Sequence, residues 1–265
     1  MRIQGKTIWI TGASSGIGKA LAEELFRKGA TVILSARNEA KLNELKALLE
    51  SKEPGRCHVV RCDVTQQSSI DSALSIVKQL TDRIDILVNN AGVSQRATAL
   101  ETNLKVVRDL FEVNFFGAIT ITHGILPWMI EKGGGQIVVI SSMAGKYGFR
   151  MRSSYAASKH ALNGYFETLR AELHNKNIKV TLICPGRVRT DITLNCYTGD
   201  GTPYNKMDKG QINGIPVEKC ARIIVRAIEK ERKEVFIGVG EIFLLVVKRI
   251  CPQMYYWIVN RASPT

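Results

Sequence analysis

The chain has 265 residues, 45% of them hydrophobic and 23% charged, which is enough apolar material for a sizeable core and excludes a disordered or low-complexity protein. Its formal net charge of +13 would suit a polyanion. The Lys and Arg residues are spread along the chain, however, and no helix-turn-helix, zinc-finger or RNA-binding signature accompanies them, so nucleic acid is not an expected partner.

Short apolar runs at 7–10, 31–35, 58–61, 84–88, 136–140, 179–183 and 234–237 alternate with longer segments of helical periodicity. Between the first two runs Ile17, Ala20, Leu21 and Leu25 recur at helical spacing, and Gly29 closes the segment as a C-cap. The alternation predicts a doubly wound, Rossmann-type α/β fold: a seven-stranded parallel sheet with helices on both faces. Ligands of such sheets sit beyond the carboxyl ends of the strands, where the strand order reverses. Each motif below falls at such an end.

The first run leads into Thr11-Gly12-Ala13-Ser14-Ser15-Gly16-Ile17-Gly18, which opens a helix. A pyrophosphate needs this context, because Gly12 permits the tight turn, Gly16 admits the phosphates to the backbone and Gly18 lets helix and strand approach. A glycine-rich turn without a ligand is the alternative. The second run ends in Arg37-Asn38, where an NAD enzyme commonly places a carboxylate on the ribose hydroxyl. Arg37 can make a forked contact with a 2′-phosphate that an Asp would repel, which favours NADP(H) over a merely solvated surface Arg. Lys41, one turn on, adds to that field.

Asp63-Val64 follows the third run, and Asp63 can accept a hydrogen bond from an adenine amino group. Asn89-Asn90-Ala91-Gly92 follows the fourth and forms a small-residue turn that lets backbone pass close to a ribose. Either could instead be a turn or a helix cap. The fifth run delivers Ser141 and Ser142, and Tyr155 and Lys159 follow, four residues apart. On a helix they share a face, so the ammonium is expected to favour the ionised phenol, although an isolated pair of this kind is often an exposed helix pair. After the sixth run comes Cys184-Pro185-Gly186-Arg187-Val188-Arg189-Thr190, a Pro-Gly turn.

TGxxxGxG, NNAG, a strand-end Ser and YxxxK, in this order, resemble the short-chain dehydrogenase/reductase family in its typical form, over essentially the whole chain. The resemblance implies Tyr155 as general acid or base, Ser142 rather than Ser141 as the group orienting the substrate oxygen, and Lys159 as the residue lowering the Tyr155 pKa and binding the nicotinamide ribose. Asn114 in Glu112-Val113-Asn114 matches a fourth member, expected to hold a helix backbone and a water. The implied cofactor contacts are Gly12, Ser14, Ser15, Gly16, Ile17 and Gly18, then Arg37, Asn38, Asp63 and Val64, then Asn90, Ala91 and Gly92, and finally Pro185, Gly186, Val188 and Thr190 with Tyr155 and Lys159. Stretches 153–173 and 202–214 are similar to the subgroup of membrane-associated reductases of steroids, lipids and other hydrophobic carbonyls.

The expected activity is hydride transfer between NADP(H) and a carbonyl or secondary alcohol of a hydrophobic small molecule. A reductase of 3-oxoacyl groups on acyl carrier protein, or a catalytically idle NADP-binding sensor, are the alternatives. Residues 1–240 are expected to form the catalytic domain, with a mobile substrate loop at 192–215, and 241–265 an apolar extension of it. A homodimer or homotetramer is expected from the resemblance.

Within 241–261, six apolar residues at 242–247 precede Lys248-Arg249, Pro252 and the aromatic run 255–259. That is too short for a bilayer span, which needs about 20 apolar residues, and suits either a membrane interface or a subunit contact. Six cysteines without a CxxC pair, and without His at zinc-ligand spacing, read as reduced structural thiols and imply no metal. From Met1 the pattern enters a strand directly, so a cytoplasmic location is expected, with 262–265 as a loose end.

Overall fold

A computed structural model describes residues 1–51 and 53–262, with Lys209 through its backbone only; the loose end expected at 263–265 lies outside the described residues. The chain runs β1 (Thr7–Thr11), α1 (Gly16–Arg27), β2 (Thr31–Ser35), α2 (Glu39–Glu50), β3 (Cys57–Val59), α3 (Gln67–Leu80), β4 (Ile86–Asn89), α4 (Leu104–Phe111), a π-helical turn (Glu112–Phe116) and α5 (Gly117–Glu131). It continues through β5 (Gly135–Ile140), a 3₁₀ turn (Met143–Gly145), α6 (Ser153–Glu172), β6 (Ile178–Pro185), α7 (Lys209–Ile212), α8 (Val217–Glu229), β7 (Glu234–Ile237), α9 (Gly240–Ile250) and α10 (Pro252–Arg261).

All seven expected strands form, and they pair in parallel in the order β3-β2-β1-β4-β5-β6-β7. The main shift is at β6, which runs on to Pro185 because Pro185 still pairs with Ile237. The chain winds outward from β1 to β3, then returns to β4 on the other side of β1. The order therefore reverses between β1 and β4, where a cleft opens at the carboxyl ends.

Period-two alternation divides the core. Ile8, Ile10, Val32, Leu34, Ile86 and Val88 face α1 and α8, packing on Leu21, Leu25, Ile224 and Ile228. Trp9, Ile33, Leu87, Ile137 and Val139 face the other way, against Ile125, Met129 and Phe166. Burying a side chain of this size is worth about 1.5–3 kcal/mol, so the two layers are the main source of stability. The helical run 104–131 is long and apolar enough to cross a membrane, yet its Ile121, Ile125 and Met129 are fully buried in the protein's own core.

At the end of α1, Lys28 is the C-cap and Gly29 takes φ +86°, the left-handed conformation expected of a closing glycine. After β7, α9 and α10 pack Leu245, Val247 and Tyr255 against Met143, Tyr147 and Cys184. Lys248 Nζ donates to the Lys146 carbonyl at 2.9 Å, and Tyr255 donates to the Gly148 carbonyl. The opposite face leaves Val239, Phe243, Val246 and Ile250 exposed, at positions that form one stripe along α9, with Met254, Tyr256 and Trp257 exposed on α10.

Candidate active site

The reversal point is held shut from below by one hydroxyl and one amide. Thr11 Oγ1 donates to the Val88 carbonyl and accepts from the backbone N–H groups of Asn90 and Ala91, at 3.0 and 3.1 Å. Asn90 Nδ2 donates to the carbonyls of Thr11 and Gly12, at 2.9 and 3.0 Å. The Asn90 side chain thus clamps the glycine turn as well as lining the cavity. Ala91 and Gly92 beside it face the cavity.

The glycines match their expected roles. Gly12 and Gly16 take φ +64° and +53°, and a Cβ on Gly18 would lie 2.3 Å from the Gly12 carbonyl oxygen. Gly18 is therefore a packing residue and does not line the cavity. Ser15 caps α1 without a side-chain hydrogen bond, and the first turn carries no carboxylate. Its N–H groups are left for an anion, with Ser14, Ser15, Gly16 and Ile17 on the cavity wall. This cradle fits a dinucleotide pyrophosphate.

Arg37, Asn38, Asp63 and Val64 form the far end of the same cavity of about 1170 Å³. Arg37 is exposed at the rim, free to fold over a phosphate. Asn38 Oδ1 is occupied as the cap of α2, accepting from Lys41 N at 3.0 Å, and Asp63 Oδ1 accepts from the Thr65 N–H and hydroxyl. Each does a structural job as well as lining the cavity. Arg61 Nε donates to the Arg37 carbonyl at 3.4 Å, which puts a second guanidinium beside Arg37 that the strand pattern did not single out.

Ser142, Tyr155 and Lys159 meet at the near end. Ser142 follows β5, accepts from Ala144 N at 3.1 Å, and reaches the Pro185 carbonyl only at 3.4 Å; its hydroxyl also pulls the Tyr155 phenol down. Ser141 is buried, and its hydroxyl finds no partner among the described residues. Both serines line the cavity. Lys159 is buried and donates to the Ile140 carbonyl at 3.0 Å.

Burial disfavours charge on both groups, holding Lys159 down at about 8 and pushing Tyr155 above its ordinary value despite the opposing pull of Ser142 and Arg152. In this geometry burial outweighs any lowering of the phenol by Lys159. The ammonium lies 6.0 Å from the ring centroid and its hydrogen bond points at Ile140.

Asn114 lies in the π-helical turn, outside the cavity wall. Its Oδ1 accepts from Val93 N at 2.8 Å, and its Nδ2 donates to the Val93 carbonyl and to Ser158 Oγ. It grips the loop after β4, a correction to the helix backbone expected for it. A Cβ at Gly92 would sit 3.1 Å from Asn114 Oδ1 and 3.5 Å from Lys159 Nζ, so the loop after β4, the π-helical turn and α6 meet there.

Beyond β6, Pro185, Gly186, Val188 and Thr190 line the cavity. Arg187 N donates to Glu241 Oε1 at 3.0 Å, so α9 braces this turn. The segment expected to be a mobile substrate loop is tied down at several points. Tyr197 pairs with Gln95, Arg189 N donates to the Ile215 carbonyl, and Asp208 Oδ2 accepts from Arg96 and Arg152 at 2.7 and 3.0 Å. Sequence reasoning missed Thr11, Gln95, Arg152, Asp208 and Glu241. One signal was available: Arg152 stands at the N-cap of α6, where the helix dipole disfavours a cation and a partner is needed.

With this geometry in view, comparison with known proteins is informative. The model of the short chain dehydrogenase family matches residues 6–200. The chain is 36% identical over 264 residues to dehydrogenase/reductase SDR family member 7B of Xenopus laevis, covering 97% of this chain and 82% of that protein. A short chain dehydrogenase from Burkholderia cenocepacia, solved in complex with NADP, is 25% identical with a TM-score of 0.81, over 100% of both chains. A short chain dehydrogenase/reductase from Burkholderia phymatum, solved with NAD, has a TM-score of 0.85 over 100% of this chain and 99% of its own; at 22% identity it speaks for the fold alone.

The burial of Lys159 has a measurable sign. A Lys whose folded-state pKa is lowered penalises the folded protein below that pKa, and the penalty fades as pH rises from about 8 toward the ordinary 10.5. Tyr155 is shifted upward from 10.0, so its opposing effect begins only above that pH. Relative to Lys159→Met, the unliganded protein should become more stable by about 2 kcal/mol between pH 8 and 10. Urea unfolding of both proteins across this range checks it, and a difference that stays flat refutes a desolvated ammonium.

Proposed function

The chain belongs to the short-chain dehydrogenase/reductase family of nicotinamide-dependent oxidoreductases, and from that premise we propose that it uses NADP(H) to interconvert a carbonyl and a secondary alcohol on a hydrophobic small molecule. The observation that carries the reading is one continuous cavity. It has a glycine cradle and Arg37 at one end and the Ser142, Tyr155 and Lys159 side chains at the other.

The cofactor supplies the hydride. In the reduction direction Tyr155 donates its phenolic proton to the carbonyl oxygen, and Ser142 donates a hydrogen bond to the same atom. The 3.4 Å contact from Ser142 to the Pro185 carbonyl is at the limit of a hydrogen bond, so redirecting it costs little. Lys159, already dehydrated, binds the ribose hydroxyls and favours return of the proton from solvent. A phenol raised by burial is a poor base, so the oxidation direction needs added positive charge beside it, which an oxidised nicotinamide brings.

Support for NADP(H) is electrostatic: the end of β2 carries Arg37 with Arg61 beside it, and no carboxylate stands there. Support for an apolar substrate is the lining of the near end, where Val93, Met143, Tyr147, Phe149, Leu244 and Val259 are found.

We infer further that this substrate reaches the cavity from an anionic lipid surface. Leu244 and Val259 join the cavity wall to α9 and α10, whose outer faces expose Phe243, Ile250 and Trp257. Residues 242–262 carry Lys248, Arg249 and Arg261 and no carboxylate, a combination that attracts anionic headgroups while its aromatic rings settle at the interface.

Three measurements test these readings. Tyr155→Phe should lower kcat for ketone reduction by two to three orders of magnitude or more while NADPH affinity changes little, and near-normal turnover removes the mechanism. Arg37→Asp should move the NADPH-to-NADH ratio of kcat/KM by roughly a hundredfold, about 3 kcal/mol, toward NADH; a variant that keeps its NADPH preference assigns recognition to Arg61. The double variant Phe243→Glu, Ile250→Glu should lose co-sedimentation with phosphatidylserine vesicles while retaining NADPH binding. Equal sedimentation of both proteins, or none by the parent, overturns the lipid reading.

A further inference from the structure

Three residues beside the cavity have no part in the chemistry so far. Arg152 stands three residues before Tyr155 at the start of α6, Asp208 lies in the loop that leads into α7, and Arg96 follows the turn after β4. All three are at least nine-tenths buried, and a single carboxylate oxygen of Asp208 accepts from both guanidiniums. Arg96 also stacks over the Tyr204 ring, 5.3 Å from its centroid. Arg152 is fixed further by donating to the Gln95 carbonyl, while Gln95 Oε1 accepts from Ser154 N at 3.0 Å and Tyr155 N at 3.4 Å. Arg152 and Asp208 both reach the cavity wall.

A fold needing only to staple a loop has cheaper means than three buried charges, because desolvating each costs several kcal/mol. A cation at a helix N-terminus adds dipole repulsion to that cost. What the arrangement provides is a fixed positive charge one helical turn from the phenol, partly offset by a carboxylate that is shared with a second guanidinium. We propose that Arg152 is a positioning residue for the reaction, holding Tyr155 through the Gln95 bridge and adding to Lys159 a second positive charge acting on that residue, with Asp208 of the substrate loop attenuating it.

The groups facing Tyr155 are few. Lys159 is one turn further along α6, the Cys184 thiol approaches from β6, Ser142 from the end of β5, and Arg152 from the helix start with Asp208 and Arg96 behind it. Cys184 is held protonated by burial, up at about 12, and Lys159 points its hydrogen bond at Ile140. With Lys159 6.0 Å from the ring, Arg152 is a second cation facing Tyr155, and Asp208 is the carboxylate that offsets it. This inference rests on Tyr155 being the proton-transfer residue.

The test is the pH dependence of kcat for oxidation of a secondary alcohol with NADP+, in the full chain, for Arg152→Gln, Arg152→Lys and Asp208→Asn. Loss of the charge in Arg152→Gln should move the rising limb upward by about one pH unit, roughly a tenfold loss of rate at a fixed pH on that limb. Arg152→Lys keeps the charge without the fork and should return the limb to within a few tenths of a unit of the parent, even if kcat falls at all pH values. Asp208→Asn removes the attenuating charge and should move the limb downward.

A purely structural cluster predicts something else: all three variants lose rate or raise KM together, and the limb stays where it was. That result overturns the proposal, as does a shift of equal size and sign in Arg152→Gln and Arg152→Lys. Should Arg152→Gln fail to fold, Asp208→Asn still decides: a downward shift of the limb supports the proposal, and an unmoved or raised limb overturns it. Failure of the underlying reading is distinguishable, because Tyr155→Phe would then turn over like the parent.

Discussion

The structure depends on how closely two strand ends can approach where the sheet reverses direction. At the carboxyl ends of β1 and β4, Gly18, the Gly12 carbonyl and the Asn90 amide occupy a space in which one added methyl group would lie 2.3–2.4 Å from its neighbours. That closeness brings the start of α1 down onto the sheet and points its N–H groups into the cleft. It also lets Thr11 and Asn90 lock the turn after β4, which Asn114 then holds from the other side through Val93. The two ends of the cavity are thereby built from one piece of backbone.

Dehydration shapes the chemistry of the near end. Tyr155 and Lys159 are both buried, and the same loss of water that makes Lys159 a weak base makes Tyr155 a weak acid. The ammonium stands 6.0 Å from the ring, close enough for its charge to act on the phenol. In the proposed reaction Ser142, the guanidinium of Arg152 and the charge that enters with the cofactor add to it. An active site built this way is poised by its surroundings as well as by its central pair.

Much of this was legible in the amino-acid sequence, and the limits follow a physical line. Strands announced themselves through short apolar runs because both faces of this sheet are covered, and the glycine turn did so because few other residues tolerate φ +64° or the contact at Gly18. Ser142, Tyr155 and Lys159 were reached through the family resemblance, since the strand-end serines and the four-residue spacing are weak signals by themselves. Where a role depends on a partner far along the chain, it was invisible: Asp208 lies 56 residues from Arg152 and 112 from Arg96, and no periodicity links them. Asn90 and Asn38 show a second limit, since a side chain that lines the cleft can also spend polar atoms on the protein itself, which no local pattern reveals.

Glu241 gives the C-terminal segment a meaning beyond its apolar surface. Its carboxylate accepts from Arg187 N, and a side chain on Gly186 would collide with it at 2.6 Å, so the first turn of α9 is wedged against the loop after β6. On the same helix, Val239 and Phe243 flank Glu241 and are open to solvent. One hydrogen bond, from Arg187 N to Glu241, therefore joins that outer face to the turn whose next residues, Val188 and Thr190, line the cavity. An exposed helix and the wall of the cleft share a single hinge point in this way, so the wall's backbone cannot be repositioned without breaking or carrying along the start of α9.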